Sequence, residues 1–267
     1  MTGVAAAARA VLLTADPLEK VRAARRVARD WRLGRIAHRF DGPPLPARPA
    51  RPERPELRRP GEMPKRGKGG SAAGRLALLH ALAHIEFVAI DLAFDLAGRF
   101  GDQFPRAFVD DWFAVGADEA MHFALLDRRL RTLGSDYGAL PAHDGLWEAA
   151  AATADDARAR LAVVPMVLEA RGLDVTPQTV ARFEAAGDQT SARILRRIAA
   201  DEIRHVGAGT RWFLWHCDQA GIAPVAEWQT LIRRHFRDGL KPPFNDSARE
   251  SAGLTRDYYS CLAANRN

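Results

Sequence analysis

Two six-residue stretches, "ADEAMH" at residues 117–122 and "ADEIRH" at residues 200–205, decide the reading of this chain. Each holds a glutamate followed three residues later by a histidine, Glu119 with His122 and Glu202 with His205. On a helix, residues i and i+3 share a face, so each pair can aim one carboxylate and one imidazole at a single point. A second glutamate stands 33 residues before each: Glu86 in "AHIEFVAIDLAF" and Glu169 in "VVPMVLEARG". A lone Glu-x-x-His is usually a solvated helix face. Two of them, each with an upstream glutamate in apolar surroundings at the same distance, read as two copies of one helical hairpin.

Working outward, apolar residues recur every three to four positions from residue 74 onward, and alternating β-branched runs are scarce. Four long helices are expected, at about 74–100, 105–133, 145–172 (ending at Gly172) and 188–220, with a short extra helix in "DVTPQTVARFEAAG". A last helix near 224–237 and an irregular tail follow. Helices of this length suit an elongated bundle. The fold class is all-α: a four-helix bundle with an N-terminal helix, a Pro/Arg-rich extended strap and an extra C-terminal helix. Two regions are expected, 1–73 as helix plus basic strap packed on the core, and 74–267 as the bundle with its C-terminal extension.

Packed together, the two hairpins would place four carboxylates and two imidazoles in the bundle centre: Glu86, Glu119, His122, Glu169, Glu202 and His205. This is a ligand set of dinuclear carboxylate bundles. Four buried carboxylates repel one another and lose hydration unless cations join them. Carboxylate and imidazole suit iron and manganese, so two Fe, Mn/Fe or Mn/Mn are all served. Metal-bound histidine usually donates its other N–H to an acceptor. Asp118 and Asp201, each just before a ligand glutamate, are the candidates, each paired with the histidine of the opposite hairpin. Pro165, one turn before Glu169, removes a backbone hydrogen bond and is expected to open the helix there. His80 reads as a packing residue, and His84 as either structural or a neighbour that supports the metal ligands.

The charge is unevenly placed. The net is +6, but residues 1–75 hold 18 Lys/Arg against 7 Asp/Glu, so the remainder is acidic. Residues 14–40 read as an Arg/Ala-rich helix starting at a Thr14 or Asp16 cap. Residues 41–73, dense in Pro, Arg and Gly, cannot form a long helix. Such a basic extension is a solvated arm on its own core or a grip on anions. Cys217 and Cys261 form no Cys-x-x-Cys pair, so a reducing compartment, the cytoplasm, is expected. No uninterrupted apolar run reads as a membrane span, and the N-terminus reads as a folded helix rather than a leader.

On these residues the chain resembles the ferritin-like superfamily. "DEIRH" looks like the signature of di-iron oxygenases and ribonucleotide reductase small subunits. "LPAHDGLWEAA", "RLAVVPMVLEARGLDVTP" and "LKPPFNDSAR" are similar to a bacterial ferritin-like family of uncharacterised function, over nearly the whole chain. The resemblance implies the bundle and the metal ligands, carried to Glu86, Glu119, His122, Glu169, Glu202 and His205, and supplies no substrate. The absence of a Cys-rich module argues against a rubrerythrin. The tyrosines, Tyr137, Tyr258 and Tyr259, fall outside the four long helices, which argues against a radical-generating subunit. The expected function is an O2-using oxidase or oxygenase, a hydroxylase acting on an apolar small molecule beside Phe87, Phe123 and Val206, with an unspecified electron donor. The alternatives are an iron-binding ferroxidase or peroxide-handling protein, a bundle stabilised by metal alone and, as a minor branch using the basic N-terminal quarter to hold nucleic acid, a tRNA-modifying hydroxylase. A homodimer is the assembly considered.

Overall fold

A computed structural model describes residues 1–63, 71–236 and 239–264. The part of the strap at 64–70, residue 237 at the expected end of the last helix, and residues 265–267 lie outside them. The chain is all-α, a helical bundle fold, and divides into two compact units, Met1–Ala151 and Ala152–Asn267.

The first unit is built on a long hairpin. Helix α3 (Ala72–Phe100) begins where the Ser71 hydroxyl accepts a bond from the Gly74 amide, and helix α4 (Arg106–Thr132) follows a single 3-10 turn at Gly101–Gln103. So short a connection makes the two helices antiparallel neighbours. They close tightly at Gly116, where a Cβ would stand 2.6 Å from the Phe94 ring. By length and composition α3 could cross a membrane, which the sequence reading did not expect. Yet 67% of its apolar window is buried inside the protein, so it is a core helix.

Ahead of the hairpin, helix α1 (Val4–Leu12) packs on α3, and helix α2 (Pro17–Arg32) packs on α4. Asp16 caps α2 with Pro17 at its first position, as expected. The helix expected over 14–40 stops at Arg32. Gly34 takes a left-handed φ of 68°, and Ile36–Ala37 (β2) pairs in parallel with Thr2–Gly3 (β1). That turn needs the positive φ that glycine adopts at little cost.

The strap is fastened by polar bonds. The Ala50 amide donates to the Leu12 carbonyl, Arg99 donates to the Pro46 carbonyl and Trp147 Nε1 to the Ala47 carbonyl. Arg48 pairs with Asp144, and Arg51 with Asp91. Asp91 on α3 is fully buried and also binds Lys20 of α2, itself fully buried. Burial pushes the Lys20 ammonium down, opposed by the charge and hydrogen bond of Asp91.

The second unit departs from the expected helix over 145–172. Helix α5 (Gly145–Ala151) ends the first unit. The chain is non-helical at 152–156, and Asp156 then caps helix α6 (Ala157–Val163) by accepting from the Ala159 amide. A π-helix, Val164–Glu169, and helix α7 (Ala170–Ala185) continue it without a stop. Gly172 does not end the helix, and "DVTPQTVARFEAAG" is its continuation rather than a separate element. Each helical glycine costs about 1 kcal/mol against alanine, less than burying Leu173, Val180 and Phe183 returns. Helix α8 (Gln189–Ala220) runs from an Asp188 cap to Gly221, whose φ of 65° lets the Ile222 amide reach back to the Cys217 carbonyl. Helix α9 (Pro224–His235) matches the expected last helix. The tail beyond it forms α10 (Asp246–Ser251) and α11 (Arg256–Tyr259). Arg249 binds both oxygens of Asp174, at 2.8 and 2.7 Å, with its guanidinium over the rings of Tyr259 and Phe244. That contact ties the tail to α7.

Asp91→Ala removes the carboxylate shared by buried Lys20 and Arg51, and the expected loss is about 3–5 kcal/mol. Arg35→Ala, which breaks an exposed pair with Asp30, should cost under about 1 kcal/mol. Chemical denaturation of the first unit's tryptophan signal checks the contrast; equal losses would show that the buried cluster does not pin the strap.

Candidate metal centre

Glu86 lies midway along α3, and Glu119 and His122 lie near the middle of α4. The three residues are 5%, 1% and 0% exposed. His122 Nδ1 is 3.2 Å from Glu86 Oε2 and 3.3 Å from Glu119 Oε2. One ligand atom from each of the three lies within 4.8 Å of the others, so this buried Glu/His group can hold a metal ion. Burial alone would lower the His122 pKa. The hydrogen bonds and charges of Glu119 and Glu86 outweigh it and push the imidazole up to about 11. Two carboxylates this deep require a positive charge between them, which a proton on His122 or a metal can supply. The donors are carboxylate oxygens and imidazole, a set that suits a divalent metal ion.

The second unit holds the matching set. Glu202 and His205 sit one helical turn apart on α8, both buried, with His205 Nδ1 3.6 Å from Glu202 Oε2. Glu169 is half-buried and is the last residue of the π-helix. The sequence expectation at Pro165 holds: its missing N–H falls inside the widened turn. Gly209 of α8 faces that turn, and a Cβ there would lie 2.4 Å from Pro165 Cβ. The π-turn therefore seats against a helix surface pared to backbone.

The two aspartates have further neighbours. The Asp201 carboxylate accepts from Arg197 at 2.7 Å and from Arg204 at 2.6 Å, so its own helix steadies it. Asp118 is half-buried and lines a groove between α4 and α2. Phe87 and Phe123 are fully buried and pack together at 5.2 Å between ring centroids. They fill the interior of the first unit rather than line an open pocket.

The sequence sets Tyr137 aside because it falls outside the long helices. It lies in the connection after α4, yet its ring packs on Phe87 and Phe123, the residues following Glu86 and His122, at 5.3 and 5.0 Å. Its hydroxyl is 2.8 Å from His84 Nδ1, and His84 Nε2 is 3.2 Å from the His143 carbonyl. A carbonyl only accepts, so Nε2 carries the proton and Nδ1 accepts from the tyrosine. His80 Nε2 accepts from the amides of Gly138 and Leu140. His80 and His84 are thus structural, the first as expected and the second in one of its two expected roles, and hold the 137–143 connection over α3. Only its place outside the helices hid Tyr137; no periodicity points to a loop residue.

Burial, reinforced by the Arg51 charge, pushes His84 down to about 3 from its ordinary 6.5. In mildly acidic solution the unfolded chain takes up a proton that folded His84 refuses. Stability should therefore fall as pH drops from about 6.5 toward 3, by about 1.4 kcal/mol more per pH unit than in His84→Gln. Denaturation midpoints at about pH 7 and about pH 5 check this; parallel pH dependence in the two proteins would remove His84 as the cause.

A family described as "Protein of unknown function (DUF455)" matches residues 13–260. A Haemophilus influenzae protein described as "Uncharacterized protein" is 41% identical over 203 residues, covering 74% of this chain and 70% of that one. No solved structure matches the chain. The match spans both hairpins and both Glu-x-x-His pairs, and the chain belongs to the DUF455 family.

Proposed function

We propose that the two hairpins together form one dinuclear metal centre of ferritin-like type, with Glu86, Glu119, His122, Glu169, Glu202 and His205 as ligands, and that the protein is an O2-using oxidase or oxygenase. The observation that carries this reading is the His122 imidazole held 3.2 and 3.3 Å from two buried carboxylates. It sits on a hairpin whose Glu, Glu-x-x-His order and 33-residue spacing recur in the second unit. Isolated structural pairs would not require the same three-residue pattern twice. The π-turn ending at Glu169 adds to it, since such turns concentrate at functional sites.

When bound, a pair of divalent irons, or manganese in the same ligands, supplies the electrons for O2 and the oxidising power for an organic substrate. The chain's own residues do the rest. The carboxylates would hold the metals and neutralise their charge. Asp118 and Asp201 are the proposed acceptors for the outer N–H of the histidines. Phe87, Phe123 and Tyr137 exclude water from the side of the centre next to Glu86 and His122. A dry, apolar flank favours an apolar substrate.

The test is elemental analysis of protein from iron- and manganese-supplemented cells. About two metals per chain are expected, falling below about half that in Glu119→Ala and in Glu202→Ala and unchanged in Glu148→Ala, whose glutamate lies on α5 outside the ligand set. Equal metal in all three variants would refute the ligand assignment. Loaded protein should then consume O2 when reduced, and a loaded centre inert to O2 would refute the oxidase reading while leaving the metal site standing.

A further inference from the structure

Part of the basic charge of the N-terminal quarter forms one stripe on α2. Along α2, the buried positions Val21, Ala24, Val27, Ala28 and Trp31 form one face. Arg22, Arg25, Arg26, Arg29 and Arg32 form the other, all five exposed. Their spacing of three and four residues makes a continuous stripe, about 15 Å long at 1.5 Å per residue. The stripe is one wall of a groove of about 770 Å³, whose other wall is α4.

The charge there is available to a ligand. Arg22 pairs with Glu19, and Arg29 lies 3.6 Å from Asp30, but among the described residues Arg25, Arg26 and Arg32 make no ion pair. The acidic groups of the groove are Asp110 and Asp118. Asp110 accepts from Trp31 Nε1 at 2.7 Å, and Arg106 stacks over the same indole at 3.8 Å, adding a cation at that end. Six arginines, counting Arg106, against Glu19, Asp30, Asp110 and Asp118 leave the groove and its rim with a net positive charge, carried mainly by Arg25, Arg26 and Arg32. Placing so many guanidinium groups side by side is unfavourable without anions, and the repulsion is relieved when an anion bridges them.

We infer that this groove binds a linear chain of phosphates, and specifically the phosphodiester backbone of a nucleic-acid strand. A single phosphate would use one or two of the five guanidiniums, whereas the stripe meets a charge at every helical turn over its whole length. Arginine forks suit phosphate oxygens. Trp31 is 2% and Phe113 1% exposed, so neither ring offers a face for stacking bases. Recognition therefore runs through the backbone and is indifferent to base sequence. This inference does not depend on the metal centre.

The experiment uses the full chain and a fluorescently labelled single strand of mixed sequence, followed by anisotropy across a salt series. Neutralising three to five phosphates gives an expected log K versus log salt slope of about −2 to −3.5. The Arg25→Ala, Arg26→Ala, Arg32→Ala triple variant should bind at least about tenfold more weakly at 0.1 M salt and lose about two units of slope. A control triple variant, Arg182→Ala, Arg193→Ala, Arg233→Ala, removes the same charge from exposed positions of the second unit and should bind as the parent does. Unchanged circular dichroism establishes that both variants fold. Equal loss in the control, no loss in the α2 variant, or no binding by the parent at low salt would overturn the assignment. Inorganic polyphosphate is run as competitor. Displacement at concentrations well above that of the strand, counted per phosphate, supports a nucleic-acid site, and displacement well below it overturns that choice in favour of polyphosphate.

Discussion

A carboxylate inside an apolar helix has to be met by a cation, and most of the first unit is arranged around that requirement. Helix α3 is buried on nearly every side, yet it carries Glu86, Asp91 and Asp95 in its interior, all 5% exposed or less. Each meets its cation by a different route. Asp95 uses Arg99 one turn along the same helix, Asp91 draws Lys20 from α2 and Arg51 from the strap, and Glu86 shares His122 of α4 with Glu119. Ion pairs of this kind are poor sources of net stability, but breaking one is costly. They therefore fix where the strap and α2 lie more than they strengthen the fold.

The same constraint separates structural acids from candidate ligands. Asp91 and Asp95 are answered by lysine and arginine, cations that cannot be exchanged. Glu86 and Glu119 are answered by an imidazole, which can give up its proton and take a metal in its place. The second unit repeats the choice: Asp174 is locked by Arg249, while Glu202 keeps a histidine beside it. The groups left with a replaceable cation are the ones that recur in the paired hairpins.

The arginines of the N-terminal quarter divide in a related way. In the strap, Arg51 points inward and is spent on Asp91, while Arg48, itself exposed, reaches down to the buried Asp144. Those of α2 face outward, because its apolar residues and Lys20 occupy the side against the protein. One compositional bias thus yields a fastening and an open basic groove, and composition alone does not tell them apart.

The sequence by itself determined the all-α class, the bounds of α3, α4 and α8, and the Glu and Glu-x-x-His positions, because helical period and i, i+3 spacing are local properties. The Asp16 cap and the distortion at Pro165 were legible for the same reason: one residue's missing or extra hydrogen bond sets them. The break at 152–156 was also local, signalled by the Asp156 cap, but apolar periodicity on both sides masked it. The run through Gly172 was not local, since burial of Leu173, Val180 and Phe183 outweighs the glycine's cost. Only the tertiary structure decided that Lys20 meets Asp91 across 71 residues, that Tyr137 reaches His84 across 53, and that Phe87 and Phe123 are filled over rather than open. Those pairings depend on how helices pack, and no repeat along the chain encodes packing between positions so far apart.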